Sequence, residues 1–280
     1  MECRSDTRMA FAEIWMISVI IPFKGDWKIL SDCIESIIAS DLVSEILIGV
    51  DGKIEEQNGD ILQLKKFKNV RILEYPDAQG IALVLNRLFK LAKNDFVARM
   101  DADDEVIENR FRLQLKILQE SRIAVLGGNV ILKSNKSIPP RKIGKLNCSD
   151  FLSSNPVAHP TIMFRKSLIL KALDTNEDLY CPNYRKSQDY ELWQRIVRKA
   201  EIHNCADPLV IYNDAFNKLN FLKQHYFFSR AMIKNLWYHF VCKKCKCGTK
   251  FTFKILCASI NQLLIYPAKV MVSMKGTRSG

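Results

Sequence analysis

The chain alternates short apolar runs with segments whose apolar residues recur at helical spacing. Ile17-Ser18-Val19-Ile20-Ile21-Pro22 is a β-rich run closed by proline, and Trp27, Leu30, Ile34 and Ile37 then share one helix face. Glu45 to Gly52 is a second apolar run, ending in an acid and a glycine. A polar helix, roughly Gln57 to Lys66, leads to a third strand from Val70 to Tyr75. Ile81, Leu85, Leu88 and Ala92 mark another helix, Phe96 to Met100 a fourth strand, Phe111, Leu115 and Leu118 a further helix, and Ile123 to Leu132 a fifth strand. Apolar strands alternating with amphipathic helices predict an α/β fold, with a mostly parallel sheet covered by helices on both faces. In such sheets ligands bind beyond the carboxyl ends of the strands.

Two of those ends carry acids. Asp51 closes the second strand, and Asp101-Ala102-Asp103-Asp104, followed by Glu105, closes the fourth. Clustered carboxylates repel one another and need a cation to offset them. A hard ion such as Mg²⁺ or Mn²⁺ prefers these oxygen ligands and shares them with substrate phosphates. Alone, an Asp-x-Asp motif reads better as an acidic surface turn, and Asp51-Gly52 as a turn-forming dipeptide. The chain has no Walker-type phosphate loop, no dinucleotide fingerprint and no nucleophilic serine elbow.

The order of the motifs changes that reading. Val19 to Pro22, Ile46 to Gly52, Gln79 to Asn86 and Phe96 to Asp104 resemble the nucleotide-binding half of a family 2 glycosyltransferase with the Rossmann-like GT-A fold. Asn155-Pro156-Val157-Ala158-His159-Pro160-Thr161-Ile162-Met163-Phe164-Arg165 and Ser187-Gln188-Asp189-Tyr190-Glu191-Leu192-Trp193 are similar to that family's acceptor half. The resemblance spans about residues 16 to 212. There are two departures: Asp51 stands alone where the family usually has a pair of acids, and Gln188-Asp189 replaces the usual Glu-Asp.

The resemblance implies the site. Asp103 would ligate Mn²⁺ or Mg²⁺ directly. Asp101 would hold the donor's ribose or the metal shell, with Asp104 facing solvent or supporting from behind. Asp51 would contact the base or ribose, and Pro22 and Phe23 would line the same nucleotide pocket. His159, before Pro160 in a loop entering a Thr161-to-Phe164 strand, is either structural or a contact in the acceptor loop. Asp189 would be the general base of a single in-line displacement with inversion. From its residues alone, Asp189 is also an acid in the first turn of a helix with an apolar stripe of Tyr190, Trp193, Val197 and Ala200, stabilising the helix behind a Ser187 cap. Glu191 is a rival base, about 200° around the helix. The implied function is transfer of a sugar from a nucleotide donor, a UDP-sugar, to a hydroxyl of a lipid-linked glycan in surface-polysaccharide assembly. The alternatives are a sugar-nucleotide nucleotidyltransferase, against which the short Pro22-to-Asp26 loop counts, and a non-catalytic nucleotide- or membrane-binding protein.

Charge divides the chain. From residue 216 onward there are ten Lys, two Arg and no Asp or Glu, so this +12 segment carries the whole net charge of the 280-residue chain. The break predicts three parts: an N-terminal extension at 1–15, a catalytic domain at 16–215 and a basic helical tail at 216–280. Met16, directly before the first strand, is read as the natural start. The tail interleaves Lys223, Arg230 and Lys234 with Tyr226, Phe227, Phe228, Met232, Ile233, Leu236, Trp237 and Phe240. It is read as contacting an anionic membrane surface, or as packing on the catalytic domain with a solvated basic face. No nucleic-acid module is evident. His239, Cys242, Cys245 and Cys247 are too close in sequence to wrap a tetrahedral zinc ion and are read as incidental. Nine cysteines in a chain of this size favour reduced thiols. Met1 to Trp15 lacks the apolar core of a secretory signal. The expected location is therefore cytoplasmic, peripheral at the inner face of the cell membrane.

Overall fold

The computed structural model describes residues 15–54, 59–134, 141–151, 154–174, 177–214, 228–229 and 231–233. The first four long strands are β1 (Ile17–Phe23), β2 (Val43–Asp51), β3 (Val70–Tyr75) and β4 (Phe96–Arg99). They lie in the order β3-β2-β1-β4 and are all parallel. The chain thus builds outward from β1 in one direction and then returns to place β4 on its other side. That reversal opens a crevice at the carboxyl ends of β1 and β4, where an open α/β sheet binds ligands.

Helices cover both faces, as the alternation predicts. α1 (Trp27–Ile38) and α4 (Arg110–Gln119) bury Leu30, Ile34, Ile37, Phe111, Leu115 and Leu118 against Val19, Ile21, Ile46, Ile48 and Ala98. α3 (Ile81–Leu91) covers the opposite face, setting Val84, Leu85 and Leu88 over Ile20, Leu47 and Val97. The two sets of strand residues alternate, which is the period of a strand buried on both sides. α2 (Gly59–Leu64) lies within the polar helix read from the sequence, although Gln57 is outside the described residues.

The second half of the sheet departs from the expected pattern. β6 (Ile123–Leu132) falls where the sequence placed it and runs parallel to β9 (Glu201–Tyr212). Between β4 and β6 lies β8 (Met163–Arg165), antiparallel to both. The strand expected from Thr161 to Phe164 therefore begins later. His159 to Thr161 forms a 3₁₀ turn, with Pro160 fixing its first residues, and the Thr161 hydroxyl bonds the Ala158 carbonyl at 2.7 Å. Two short strands, β5 (Glu105–Val106) and β7 (Gly144–Lys145), pair with β9. β9 itself has no clear sequence signal, because Asn204 to Pro208 breaks its apolar alternation.

The two remaining helices, α5 (Lys166–Ala172) and α6 (Gln188–Ile196), pack on the α3 side, where Trp193 is fully buried. Beyond β9, Phe228 stacks on Tyr190 at 4.4 Å between ring centroids, and Ala231 and Met232 are buried in the same core. This part of the tail packs on the domain. The rest of the tail, with Lys223, Arg230, Lys234, His239, Cys242, Cys245 and Cys247, lies outside the described residues, as do residues 1–14. Among the described residues no helix is long and apolar enough to cross a membrane. Cys33, Cys181 and Cys205 are free thiols, as expected, whereas Cys148 is disulfide-bonded.

One long-range contact locks the segment before α6. Buried Asn86 of α3 donates to the Tyr180 carbonyl at 2.8 Å and accepts from the Tyr180 amide at 2.7 Å. Asn86→Ala would leave both backbone groups buried and unpaired, at about 1–3 kcal/mol each when unrelieved. The expected loss is about 2–4 kcal/mol of unfolding free energy, measured by urea denaturation. A loss below about 0.5 kcal/mol would show that the 177–187 segment is held by other contacts.

Candidate active site

The acidic turn is built on two buried guanidinium groups. Arg99, the last residue of β4, is 2% exposed and sends both terminal nitrogens to the two carboxylate oxygens of Asp101, one at 2.6 Å. Beneath it, Arg110 of α4 donates to the Arg99 carbonyl at 3.0 Å and to the Gln114 side chain at 3.1 Å. Burial lowers the Arg110 pKa to about 9, against the opposing pull of Asp104. Arg99 keeps its charge firmly: burial works against it, but the contact with Asp101 more than compensates.

The three aspartates differ in setting. Asp104 is 1% exposed and accepts from the Asn213 amide at 2.8 Å. The sequence placed it facing solvent or behind the ligands, and it lies behind them. Burial first, then the charge of Asp101, pushes its carboxyl up to about 8. Asp103 reaches the surface and accepts from the Asn213 side chain at 3.3 Å. Its pKa is raised by partial desolvation and then by Asp101. Among the described residues no three His, Cys, Asp or Glu side chains are grouped so as to hold a metal ion. Asp51 accepts from the Gly80 amide at 3.0 Å, at the cap of α3, where Gly80 has φ of +93°.

Two cavities meet at this turn. One, of about 490 Å³, is lined by Pro22, Phe23, Asp51, Asp101 and Asp103, the residues the sequence grouped as a donor pocket, with Lys24, Arg185 and Lys186 added. The other, of about 560 Å³, is lined by Asp101, Arg141, Asn155, His159, Lys186 and Asp189 among others. Asp101 and Lys186 line both. The structure therefore brings every sequence-selected site residue to one of two adjoining spaces.

Asp189 lies in the first turn of α6, and its Oδ2 accepts from the Asn155 side chain at 2.8 Å. Burial raises its pKa; hydrogen bonds from the Tyr190 amide and Asn155, and the charge of Arg99, oppose that rise. Ser187 occupies the N-cap position with φ of +55° and makes no side-chain cap bond, so the expected serine cap is not formed. Glu191 is 2% exposed and bonds Arg195 with both oxygens at 3.1 Å, which removes it as a rival base. His159 lines the second cavity, and its Nε2 lies 2.8 Å from the Tyr180 hydroxyl. Burial, and then Arg99, hold its pKa well below the usual value, so it is neutral at physiological pH.

The glycosyl transferase family 2 model matches residues 18–168, more than half of the chain. The chain belongs to that family. As a family 2 glycosyltransferase it has relatives among bacterial polysaccharide enzymes. The Escherichia coli UDP-Glc:alpha-D-GlcNAc-diphosphoundecaprenol beta-1,3-glucosyltransferase WfgD is 22% identical over 69% of this chain and 74% of its own. The amylovoran biosynthesis glycosyltransferase AmsE of Erwinia amylovora is 27% identical over 70% and 75%. The O-antigen biosynthesis glycosyltransferase WbnJ of E. coli is 26% identical over 78% and 97%. Among solved structures, S. aureus TarS 1-349 superposes with a TM-score of 0.65 at 14% identity, covering 88% of this chain and 71% of that one. This confirms the GT-A fold.

Some residues of this glycosyltransferase site escaped the sequence reading. Asn155 was seen only as part of a motif, Arg141, Arg185 and Lys186 only as unnamed members of the loops near residues 133–158 and 174–186, and Asn213 not at all. Surface-type residues in loops carry no periodicity to mark them. Arg99 did leave a signal, since a charged residue in the middle of an apolar strand must find a partner.

Asp104 generates a pH dependence. It binds its proton more tightly in the folded chain, at about 8, than in the unfolded chain, at roughly 3.9. The folded state therefore holds the extra proton between those values, and this group's contribution to stability falls as pH rises from about 4 to about 8. Asp104→Asn should flatten that decline, as read by urea midpoints across the range. An unchanged slope would mean that Asp104 ionises normally.

Proposed function

We propose that this glycosyltransferase moves a sugar from a nucleoside diphosphate donor, a UDP-sugar, to a hydroxyl of a glycan acceptor, with inversion at the anomeric carbon. The observation that carries the reading is the pair of adjoining cavities sharing Asp101, one rich in strand-end acids and the other holding Asp189. The donor would occupy the first, with its base and ribose near Asp51, Pro22 and Phe23. The acceptor would enter the second. Solved complexes of TarS with UDP and with UDP-GlcNAc share the fold.

The bookkeeping of the reaction assigns the roles. The acceptor oxygen bonds to the anomeric carbon as the bond from that carbon to the diphosphate breaks. The electron pair leaves with the nucleoside diphosphate, and the acceptor proton passes to the Asp189 carboxylate. Asn155 donates to Oδ2 of Asp189 and fixes the direction of its carboxylate. Neutral His159, backed by the buried Tyr180 hydroxyl, shapes the acceptor wall without adding charge.

The acidic turn fits a hard divalent ion. Its donors are carboxylate oxygens, and burial first, then the charge of Asp101, raises Asp103 and Asp104, a cost that a cation would offset. Asp103, which reaches the cavity, would be the direct ligand for Mn²⁺ or Mg²⁺. Asp101, with both oxygens held by Arg99, would stand beside it. The ion would supply positive charge to the departing phosphate oxygens.

A lipid-linked acceptor fits the reading, since WfgD is named for a diphosphoundecaprenol substrate. The +12 segment from residue 216 onward would then bring the enzyme to anionic headgroups at the cytoplasmic face of the membrane. This would support surface-polysaccharide synthesis as a peripheral enzyme.

Asp189→Asn keeps shape and removes basicity. The rate constant kcat should fall about 10²–10⁴-fold while UDP affinity stays near wild type. Because burial raises the Asp189 pKa, the acidic limb of the wild-type kcat profile should lie above the ordinary carboxylate value of roughly 3.9. Near-normal kcat in the variant would reduce Asp189 to a helix-stabilising acid.

For the metal, sugar transfer should cease in chelator and return with added Mn²⁺ or Mg²⁺. Asp103→Ala should lose at least about 10²-fold in rate. Full activity in chelator would overturn the metal assignment.

A further inference from the structure

The donor cavity has an imbalance in how its charged groups are satisfied. Its acids have partners: Asp26 accepts from the Lys28 amide, Asp51 from Gly80, Asp101 from Arg99 and Asp103 from Asn213. Its cations Lys24, Arg185 and Lys186 take part in none of the hydrogen bonds or ion pairs found among the described residues. Three cations lining one cavity, without a protein partner among the described residues, are complementary to an anionic ligand.

Arg185 and Lys186 differ from Lys24 in position. Lys186 lines both cavities, so it stands at the seam where the bond to the donor must break. Both residues lie just before Asp189 on one short segment. That segment is fixed from two sides: Asn86 grips Tyr180, and Arg195 donates to the Asp178 carbonyl at 3.2 Å. Tyr184 is buried, and Ser187 is held in the left-handed region at φ of +55°. A non-glycine residue stays there only when its surroundings enforce it. The backbone that carries the two cations is therefore fixed.

We propose that Arg185 and Lys186 grip the diphosphate of the donor, with Lys186 hydrogen-bonding the oxygen that leaves the sugar. The inference rests on the donor-cavity reading above. Arginine suits the planar, two-point recognition of a phosphate, and lysine acts as a compact charge. When the bond from the anomeric carbon to oxygen breaks, the electron pair stays on the phosphate oxygen. Lys186 offsets that charge without giving up its proton. Placing these cations on the same segment as the base couples donor grip to acceptor activation.

The test is calorimetric titration of the full chain with UDP, GDP, CDP and dTDP, each beside its nucleoside monophosphate and nucleoside. For the tightest diphosphate, Arg185→Gln and Lys186→Gln should each lose about 10- to 100-fold in affinity, the size expected for one charge-assisted contact. The matching nucleoside should change less than about 3-fold. Lys186→Arg should retain most of the binding. Lys116→Gln, which removes an equal charge from the exposed face of α4, should bind as wild type. Wild-type diphosphate affinity in both Gln variants would overturn the proposal and leave the donor cavity standing. An equal loss for nucleoside and diphosphate, or for Lys116→Gln, would also overturn it. Failure of the wild-type chain to bind any of the four diphosphates would overturn the donor-cavity reading with it.

Discussion

A charged guanidinium buried at the end of a central strand is the constraint from which the site follows. Arg99 cannot keep its charge in that setting without a paired anion, and removing one partner of a buried pair costs about 3–5 kcal/mol. Asp101 is the partner, and the two-point contact fixes its direction as well as its distance. Asp101 is therefore held at the point where the two cavities meet. Arg110 supports the arrangement from below through the Arg99 carbonyl. The same buried positive charge opposes ionic repulsion at Asp103 and Asp104 and helps Asp189 to ionise.

The strand order places that pair where it is useful. With β4 inserted beside β1, the turn after Arg99 opens into the crevice between Phe23 and Asp51 on one side. Antiparallel β8 then brings the preceding 3₁₀ turn, with His159, to the other side of Arg99, whose amide bonds the Ile162 carbonyl at 3.0 Å. The first cavity draws mainly on the parallel half, with Arg185 and Lys186 reaching it from the mixed half, and the second cavity draws mainly on the mixed half. Arg99 belongs to both.

This arrangement changes the meaning of individual residues. Asp101 is paired with a protein cation, so in the proposed reaction the more exposed Asp103 is the acid that would meet the metal. The setting of Asp189 is made by Asn155 and burial rather than by a serine cap. Glu191, its near neighbour in sequence, is consumed by Arg195 and serves to hold the segment that carries Arg185 and Lys186.

The sequence by itself determined the parallel half of the sheet, its helices and the family, and it marked Asp51, Asp101 and Asp103 as acids at strand ends. Those features are written locally, as hydrophobic period and strand-end chemistry, and local patterns survive in a single sequence, whereas Pro22, Phe23, His159 and Asp189 were selected by their resemblance to family motifs. Only the tertiary structure decided the antiparallel insertion of β8, the identity of β9, the pairing of Arg99 with Asp101 and the free cations beside Asp189. Each of these depends on residues far apart in the chain, as Asn86 and Tyr180 are, and no periodicity records which distant partner a buried polar group will find.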